Sequence, residues 1–302
     1  MYLSYSGHKS YASCPKQYWH RYIDNTPSPV AENGVNALYG SVVGILFEWF
    51  YARHLWMQKG VEEHLLSMVD ETLEATMTKE GDRGRIFNFA EKASNYKTKE
   101  ALLADIRETI PRGIQIIRQH RLLGPDAAAE VKLDSWIQGH RIGGRADFAM
   151  TRIKPHQDKI ILDGKGSRHL TKYVDPWQLK WYAMLWREKF TTAPDKLGFL
   201  LWRAEPDDSI QWVPFTRNEL DELRDSVVQT AQKIDEGKAL LTSAPQMEAP
   251  QVVLQHFPAA PSSECRFCVH LTQCPPGQAY ESAALPVAIS GLVGVDDVGL
   301  DV

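Results

Sequence analysis

Hydrophobic and polar positions follow a helical rhythm through the first part of the chain. Gly7 to Tyr22 is dense in aromatic and basic residues (His8, Lys9, Tyr11, Lys16, Tyr18, Trp19, His20, Arg21 and Tyr22), and its spacing predicts a helix. Asp24 to Asn33, with Pro27 and Pro29, reads as a loop. A strongly apolar helix is predicted from about Asn36 to Gln58. Apolar residues then recur three and four apart over Val61 to Thr78 and Lys99 to His120, which predicts two amphipathic helices, the second with Pro111 as a kink or break. The stretch between them, Gly81 to Ser94, is polar and irregular.

Beyond Gly124-Pro125 the period drops to two. Glu130 to Ile137 alternates like a strand, and Gln138-Gly139 suits a tight turn into a second strand, His140 to Met150. After the Thr151 to Asp158 loop comes a short apolar strand, Lys159 to Asp163. Asp175 to Phe190 returns to helix, and Lys196 to Arg203 and Ser209 to Phe215 read as antiparallel strands. Thr216 and Glu219 form a capping box opening a helix to about Glu236. A Pro-rich stretch, Pro245 to Pro261, leads to a cysteine cluster, and the tail 281–302 reads as disordered. The pattern implies a mixed α/β core with a helical insertion.

A chain of 302 residues can bury roughly three quarters of its unfolded surface and needs no disulfides to fold. No apolar run approaches the ~18 residues of a membrane span, and MYLSYSGHKS lacks an apolar signal core, so the expectation is a cytoplasmic protein with no membrane partner. The net charge of −4 is concentrated at one end. Glu281, Asp296, Asp297 and Asp301 are unaccompanied by any base, and the rest of the chain balances at 34 acidic and 34 basic residues. A neutral body neither supports nor excludes a basic groove for nucleic acid.

The cysteines change the picture more. Cys14 stands alone, while Cys265, Cys268 and Cys274 form C-x2-C-x5-C. In a cytoplasmic chain such clustering points to metal or redox chemistry before disulfides. Three close thiolates and a distant fourth supply the soft ligands of a 4Fe-4S cluster or a structural Zn²⁺, with His256 and His270 keeping a Cys3His zinc site open. A metal shared by all four would tie the two ends of the chain together.

Acids inside the apparent core are the other candidate chemistry. Asp147 lies in Gly-Gly-Arg-Ala-Asp-Phe-Ala-Met, and Asp163 ends an apolar strand, followed by Gly164 and Lys165. Residues two apart on a strand share a face, so Asp163 and Lys165 point the same way. Buried charges need partners or a metal; two carboxylates with one lysine suit a hard cation and an attacking water. D-x-K alone is also an ordinary strand end. Gln178 and Tyr182, four apart, share a helical face, and Glu48 interrupts an otherwise apolar run.

Taken in order, Leu3-Ser4-Tyr5-Ser6, Cys14-Pro15, Gly40-x3-Gly44-x3-Glu48, Gly144-Arg145-Ala146-Asp147, Asp163-Gly164-Lys165, Gln178-x3-Tyr182 and Cys265-x2-Cys268-x5-Cys274-Pro275 resemble the PD-(D/E)XK nuclease superfamily. The likeness is to its RecB-type, CRISPR-associated and phage exonuclease branch with a 4Fe-4S cluster. It implies a restriction-endonuclease-like α/β fold, a central mixed sheet flanked by helices, over 1–280, with 52–128 as a helical insertion and 262–276 pairing with Cys14. It implies Mg²⁺ or Mn²⁺ held by Asp147, Asp163, the Gly164 carbonyl and Glu48. Lys165 would orient water, Gln178 and Tyr182 would position Lys165 or the strand, and Cys14, Cys265, Cys268 and Cys274 would carry the cluster as a staple. In one place the chain departs from the pattern: many relatives have G-x3-H in the first helix, and here the histidine position is Gly44.

The implied function is a metal-dependent DNA exonuclease on single strands or ends, in recombination, repair or phage DNA processing, in a bacterial or phage-infected cell. The alternative is a weakly active or inactive DNA-binding or scaffold protein on the same fold. Trp177, Trp181 and Trp186, and Tyr11, Tyr18 and Trp19, are candidates either for stacking on bases or for core packing. The acidic tail is either a segment for a recombination or replication partner or a solubilising terminus.

Overall fold

Alternation and turn chemistry decide how the strands pair. The computed structural model describes residues 1–27, 33–151, 158–169 and 175–284. Two compact units divide the chain, one of Met1–Lys9 with Ala31–Glu236 and one of Ser10–Val30 with Gly237–Val302.

The N-terminal elements are β1 (Tyr2–Ser4), α1 (Tyr5–Ser13), α2 (Pro15–Tyr22) and α3 (Val35–Ala52). The insertion supplies α4 (Val61–Ser67), α5 (Val69–Gly81) and α6 (Lys99–Gln119). Then come β2 (Ala127–Lys132), β3 (Ser135–Ile137), β4 (His140–Gly143), β5 (Arg145–Met150), β6 (Ile160–Lys165), α7 (Pro176–Phe190), β7 (Lys196–Leu201) and β8 (Ile210–Val213). The chain continues with α8 (Arg217–Ser243), α9 (Ala249–His256) and α10 (Pro275–Ala284).

In the first unit a mixed sheet runs β2-β5-β6-β7-β8, with β6 and β7 parallel and the other pairs antiparallel. A smaller sheet, β1-β4-β3, stands beside it in the chain order. Gln138 and Gly139, at φ 48° and 83°, form the two-residue turn joining β3 to β4, and Ile137 pairs with His140. Two left-handed residues are what such a hairpin needs, so the turn expected from sequence is present.

The core centres on α3. Val42, Val43, Leu46 and Phe50 are 0–1% exposed and pack with Leu65, Leu73, Leu102, Ile106 and Ile110 of the insertion and with Phe148 and Leu162 of the sheet. Among the described residues α3 is also the one helix long and apolar enough in composition to cross a membrane, more apolar than run length suggests; half of it is buried in this core. Gly113 of α6 is required at its crossing with α3, since a Cβ there would lie 2.3 Å from the Phe47 ring.

Several expected elements differ, each for a local reason. The helix expected over Gly7–Tyr22 is two, because Cys14 is extended and Pro15 opens α2. The one expected over Asn36–Gln58 stops at Ala52, followed by left-handed His54 and a 3₁₀ turn, Leu55–Met57. Val61–Thr78 breaks at Met68 into α4 and α5. Pro111, in contrast, does not end α6; burial of Ile106, Ile110, Ile114 and Ile117 holds the helix through it.

The strands expected over Glu130–Ile137 and His140–Met150 each divide between the two sheets. The first passes over at Leu133-Asp134 and the second at Gly143-Gly144, where a Cβ on Gly143 would lie against Asp134 Oδ1 and one on Gly144 3.0 Å from the Tyr182 ring. The capping box forms as read, with the Glu219 N–H donating to Thr216 Oγ1 (3.2 Å) and the Thr216 N–H to Glu219 Oε2 (2.7 Å), but α8 runs on to Ser243. The Pro-rich stretch contains a helix, α9, with a proline in its first turn. Helix α10 reaches Ala284, so the expected tail is helical over its first residues, and 285–302 lie outside the described residues.

Candidate active site

Register brings the acids together. Antiparallel β5 and β6 pair Met150 with Ile160, Ala149 with Ile161 and Phe148 with Leu162, so the next position outward sets Asp147 beside Asp163. Phe148, Met150, Ile160 and Leu162 enter the α3 core, and alternation sends Asp147, Asp163 and Lys165 to the other side of their strands. The Gly164 N–H donates to Asp147 Oδ2 at 2.8 Å, holding one carboxylate against the neighbouring strand. The Lys165 ammonium ion-pairs with Asp163 Oδ2, and the Asp163 side chain is 2% exposed. Glycine is needed at 164 because a Cβ would lie 2.7 Å from the Trp202 indole nitrogen.

The electrostatics are those of a centre short of positive charge. Burial, then the neighbouring Asp163 charge, raises the Asp147 carboxyl to about 7 against the pull of the Gly164 N–H. Burial also raises Asp163, opposed by Lys165. A divalent cation would relieve both, so these residues suit a hard oxygen-ligated ion. Among the described residues no three His, Cys, Asp or Glu side chains already converge tightly enough to enclose a single ion.

Glu48 lines the same cleft as Asp147 and Gly164, together with Gly40 and Gly44 of α3. Spaced four apart, Gly40, Gly44 and Glu48 lie along one helix face. A Cβ built on either glycine meets nothing within 4 Å, so neither is glycine for lack of room, and the Gly44 position faces open space. Gln178 and Tyr182 lie on α7, with Gln178 Nε2 donating to Tyr182 Oη at 3.0 Å. Burial raises the Tyr182 hydroxyl, which keeps it protonated as a donor. Asp175 caps α7, accepting from the Trp177 N–H (3.0 Å), Lys9 Nζ (2.7 Å) and Tyr5 Oη. Burial works against its charge, but the bonds from Lys9 and Tyr5 prevail and hold its carboxyl below the usual range. Of the tryptophans in this helix, Trp181 and Trp186 are core residues and Trp177 is 44% exposed.

Two contributors escape the sequence reading. Glu130 on β2 stands across from Asp147, between the pairs Ala129–Phe148 and Val131–Ala146. It adopts φ 53° in mid-strand, lines the cleft, and pairs with Arg145 at 3.1 Å. No side-chain pattern foretells a left-handed glutamate. Arg203, just beyond β7, stacks 3.8 Å from the Tyr39 ring centre and bonds Asp105 and Tyr96, a convergence of segments far apart in sequence.

The second unit gathers the cysteines. Cys14, Cys265, Cys268 and Cys274 line one cavity with His20 and His270, and all four thiols are free and partly exposed. The segments meet through the Lys16 N–H, which donates to Pro258 O at 3.1 Å. Backbone N–H groups point at sulfur, from Ala260 to Cys14 Sγ (3.5 Å) and from Ser262 to Cys265 Sγ (3.4 Å). A Cβ on Gly277 would sit 3.4 Å from Cys274 Sγ and 3.6 Å from Cys265 Sγ, so this glycine keeps the space before the sulfurs open. Burial, with the other three thiols, raises Cys268. His20 and His270 stack at 4.8 Å, and burial and Lys16 lower His20 to about 4. The Tyr11, Tyr18 and Phe257 rings pack edge to face beside them, and Tyr18 is buried.

A family model described as the PD-(D/E)XK nuclease superfamily matches residues 2–275. Among solved structures, one titled "Crystal structure of SSO0001" is similar at 19% identity over 59% of this chain and 77% of that one, with a TM-score of 0.28. No curated protein sequence matches. The match spans the sheet, the paired aspartates, the lysine and the cysteines alike: the chain belongs to the PD-(D/E)XK nuclease superfamily.

Proposed function

We propose that the chain is a Mg²⁺- or Mn²⁺-dependent deoxyribonuclease that hydrolyses phosphodiester bonds as an exonuclease, on single strands or ends. The observation that carries this reading is the juxtaposition of Asp147, Asp163 and Lys165 at the opened end of β5 and β6. Asp147, Asp163, the Gly164 carbonyl and Glu48 would hold the metal, which when bound supplies charge neutralisation at the phosphate and acidifies water. Lys165 exchanges its pairing with Asp163 for the developing charge on the phosphate oxygens and orients the attacking water. The Gln178–Tyr182 pair, fixed by the capped helix, steadies the lysine and the strand.

In the second unit Cys14, Cys265, Cys268 and Cys274 would carry a 4Fe-4S cluster. The four cysteines line one cavity, and their thiolates are the soft ligands that a cluster takes one per iron; the alternative for the same ligands is a structural Zn²⁺. Anaerobically purified protein is then brown; a zinc protein would be colourless. We place the enzyme in recombination, repair or phage DNA processing in the cytoplasm, with DNA as its substrate.

The deciding experiment is digestion of strands labelled at either 5′ or 3′ ends with Mn²⁺. Loss of label-specific ends by wild type and not by Asp163→Ala supports the reading, and its failure with every metal and substrate end sinks it. Gly44, a glycine facing open space where relatives supply a ligand, favours the second reading, a DNA-binding protein with weak or no catalysis. That reading predicts strand binding without cleavage in the same assay.

A further inference from the structure

Two cavities flank the end of β6, and their linings differ in charge. The cleft bordered by Asp147 also holds Glu48, Glu80 and Glu130 against Lys79 and Arg145. The second cavity is lined by Lys9, Lys165 and Arg203, with Asn36, Asn95 and Gln178, of which the Asn36 and Gln178 amides already donate to Ala93 O and Tyr182 Oη. Its single carboxylate among the described residues, Asp175, is already engaged by Lys9, Tyr5 and the Trp177 N–H. Gly40 and Gly166 border both. Three cations against one carboxylate among the described residues, that one already paired, make a lining that fits an anion, and Lys165 makes it continuous with the reacting centre.

Arg203 is the fixed part of this wall. Its Nη2 bonds Asp105 and Tyr96, its guanidinium lies 3.8 Å from the Tyr39 ring centre, and its backbone carbonyl accepts from Arg112 at 3.2 Å. Its Nε is a buried donor with no acceptor among the described residues. An arginine so restrained loses little side-chain entropy when it meets a phosphate. Asp105 and Tyr96 belong to the insertion, so the insertion furnishes a support for the cavity beside the carboxylate centre.

We propose that this second cavity seats the phosphate next to the scissile one, with Arg203 and Lys9 as its cationic anchors. The inference rests on the nuclease reading for the identity of the polyanion alone. The strand then crosses the end of β6, its reacting phosphate over the carboxylates and its neighbour against Arg203. Asn36 and Asn95 are joined to each other, the Asn95 N–H donating to Asn36 Oδ1 at 2.7 Å, which fixes the far wall.

The test is fluorescence anisotropy of a labelled oligothymidylate in EDTA, where no cleavage occurs, over a range of salt. Lys9→Gln and Arg203→Gln are each expected to weaken binding roughly tenfold. Each should also make the salt dependence shallower by about 0.7 in log K against log salt. Ser167→Asp, which adds a negative charge to the cavity and removes no cation, is expected to weaken binding comparably, and it carries the test if Arg203→Gln fails to fold. Lys233→Gln, removing a charge from the exposed face of α8, is the matched control and should change little.

Unchanged affinity and slope in Lys9→Gln and Ser167→Asp overturn the proposal, as do equal losses in Lys233→Gln or no binding by wild type. Cleavage by wild type with unaltered binding in the variants removes this inference and leaves the nuclease reading standing. Variant-sensitive binding without any cleavage does the reverse.

Discussion

Asp147 and Asp163 sit on paired strands, one position beyond the last β5–β6 pair, whereas Cys14, Cys265, Cys268 and Cys274 sit at a helix start and in short turns. The first arrangement is preformed. Ladder register fixes both carboxylates to within a side-chain rotation, and the cost of crowding them falls on their titration. In the second, the sulfurs are held by a few N–H···S contacts and turn backbone around an open cavity. A scaffold of that kind draws its order from what binds it, as small metal modules do. On the reading proposed above, the carboxylate centre should therefore tolerate loss of a bound metal, and the cysteine unit should not.

The largest expected effect breaks the first half of that comparison. Asp163→Ala should lower Mn²⁺-dependent cleavage by at least ~10³-fold while leaving the far-ultraviolet circular dichroism unchanged, and Lys165→Ala by roughly 10²–10⁴-fold. Unfolding of either variant would show that the carboxylates are structural.

Cys268→Ser probes the other half. It should bleach the visible absorption and expose 237–284 to proteases before residues of the strand core. Uniform digestion of the whole chain would mean that the two sites are equally dependent on bound metal. A smaller effect is expected from Glu130→Gln, which should weaken the apparent Mn²⁺ affinity of cleavage about tenfold with little change at saturating metal, as loss of an outlying carboxylate does.

Next comes a pH effect on the metal-free protein. Between the ordinary aspartate value and about 7 the folded chain holds a proton on Asp147 that the unfolded chain releases. The stability it contributes is whole below the unfolded value and is lost as pH rises through about 7, with Asp163 acting in the same direction. The melting temperature in EDTA should fall by a few degrees between pH 5 and pH 8, and Mg²⁺ should restore more at pH 8. A metal-free melting temperature that climbs over that range contradicts the crowded-carboxylate picture. The smallest change should come from Tyr5→Phe, which removes one bond to the cap of α7 and should cost about 1 kcal/mol by chemical denaturation.

Much of the architecture was legible from local pattern. The hairpin turn at Gln138-Gly139, the Thr216–Glu219 box, the amphipathic run of α6 and the strand ending in Asp163 depend on short-range chemistry, and they formed close to the expected positions. The Asp163–Lys165 pairing followed from the two-residue period, and the clustering of Cys265, Cys268 and Cys274 from their spacing, whereas Cys14 joins them in one cavity as the family resemblance implied. Where the reading missed, long-range packing outweighed local preference. Pro111 stays inside α6 because buried isoleucines on both sides hold the helix, and the expected strands divide at Leu133-Asp134 and at Gly143-Gly144, where the chain passes from one sheet to the other.

Residue types and intervals by themselves determined which side chains are candidates: two acids and an amine on neighbouring strands, four thiolates, and a Gln–Tyr pair one helical turn apart; the roles proposed for them come from the family resemblance. Tertiary structure alone decided that Glu130 turns left-handed opposite Asp147, and that Arg203 is caught between Tyr39, Tyr96 and Asp105. It also decided that the Gly44 position opens onto empty space. Periodicity reports what each residue's own backbone prefers; which distant residue it meets depends on packing, whose free energy is summed over contacts remote in sequence.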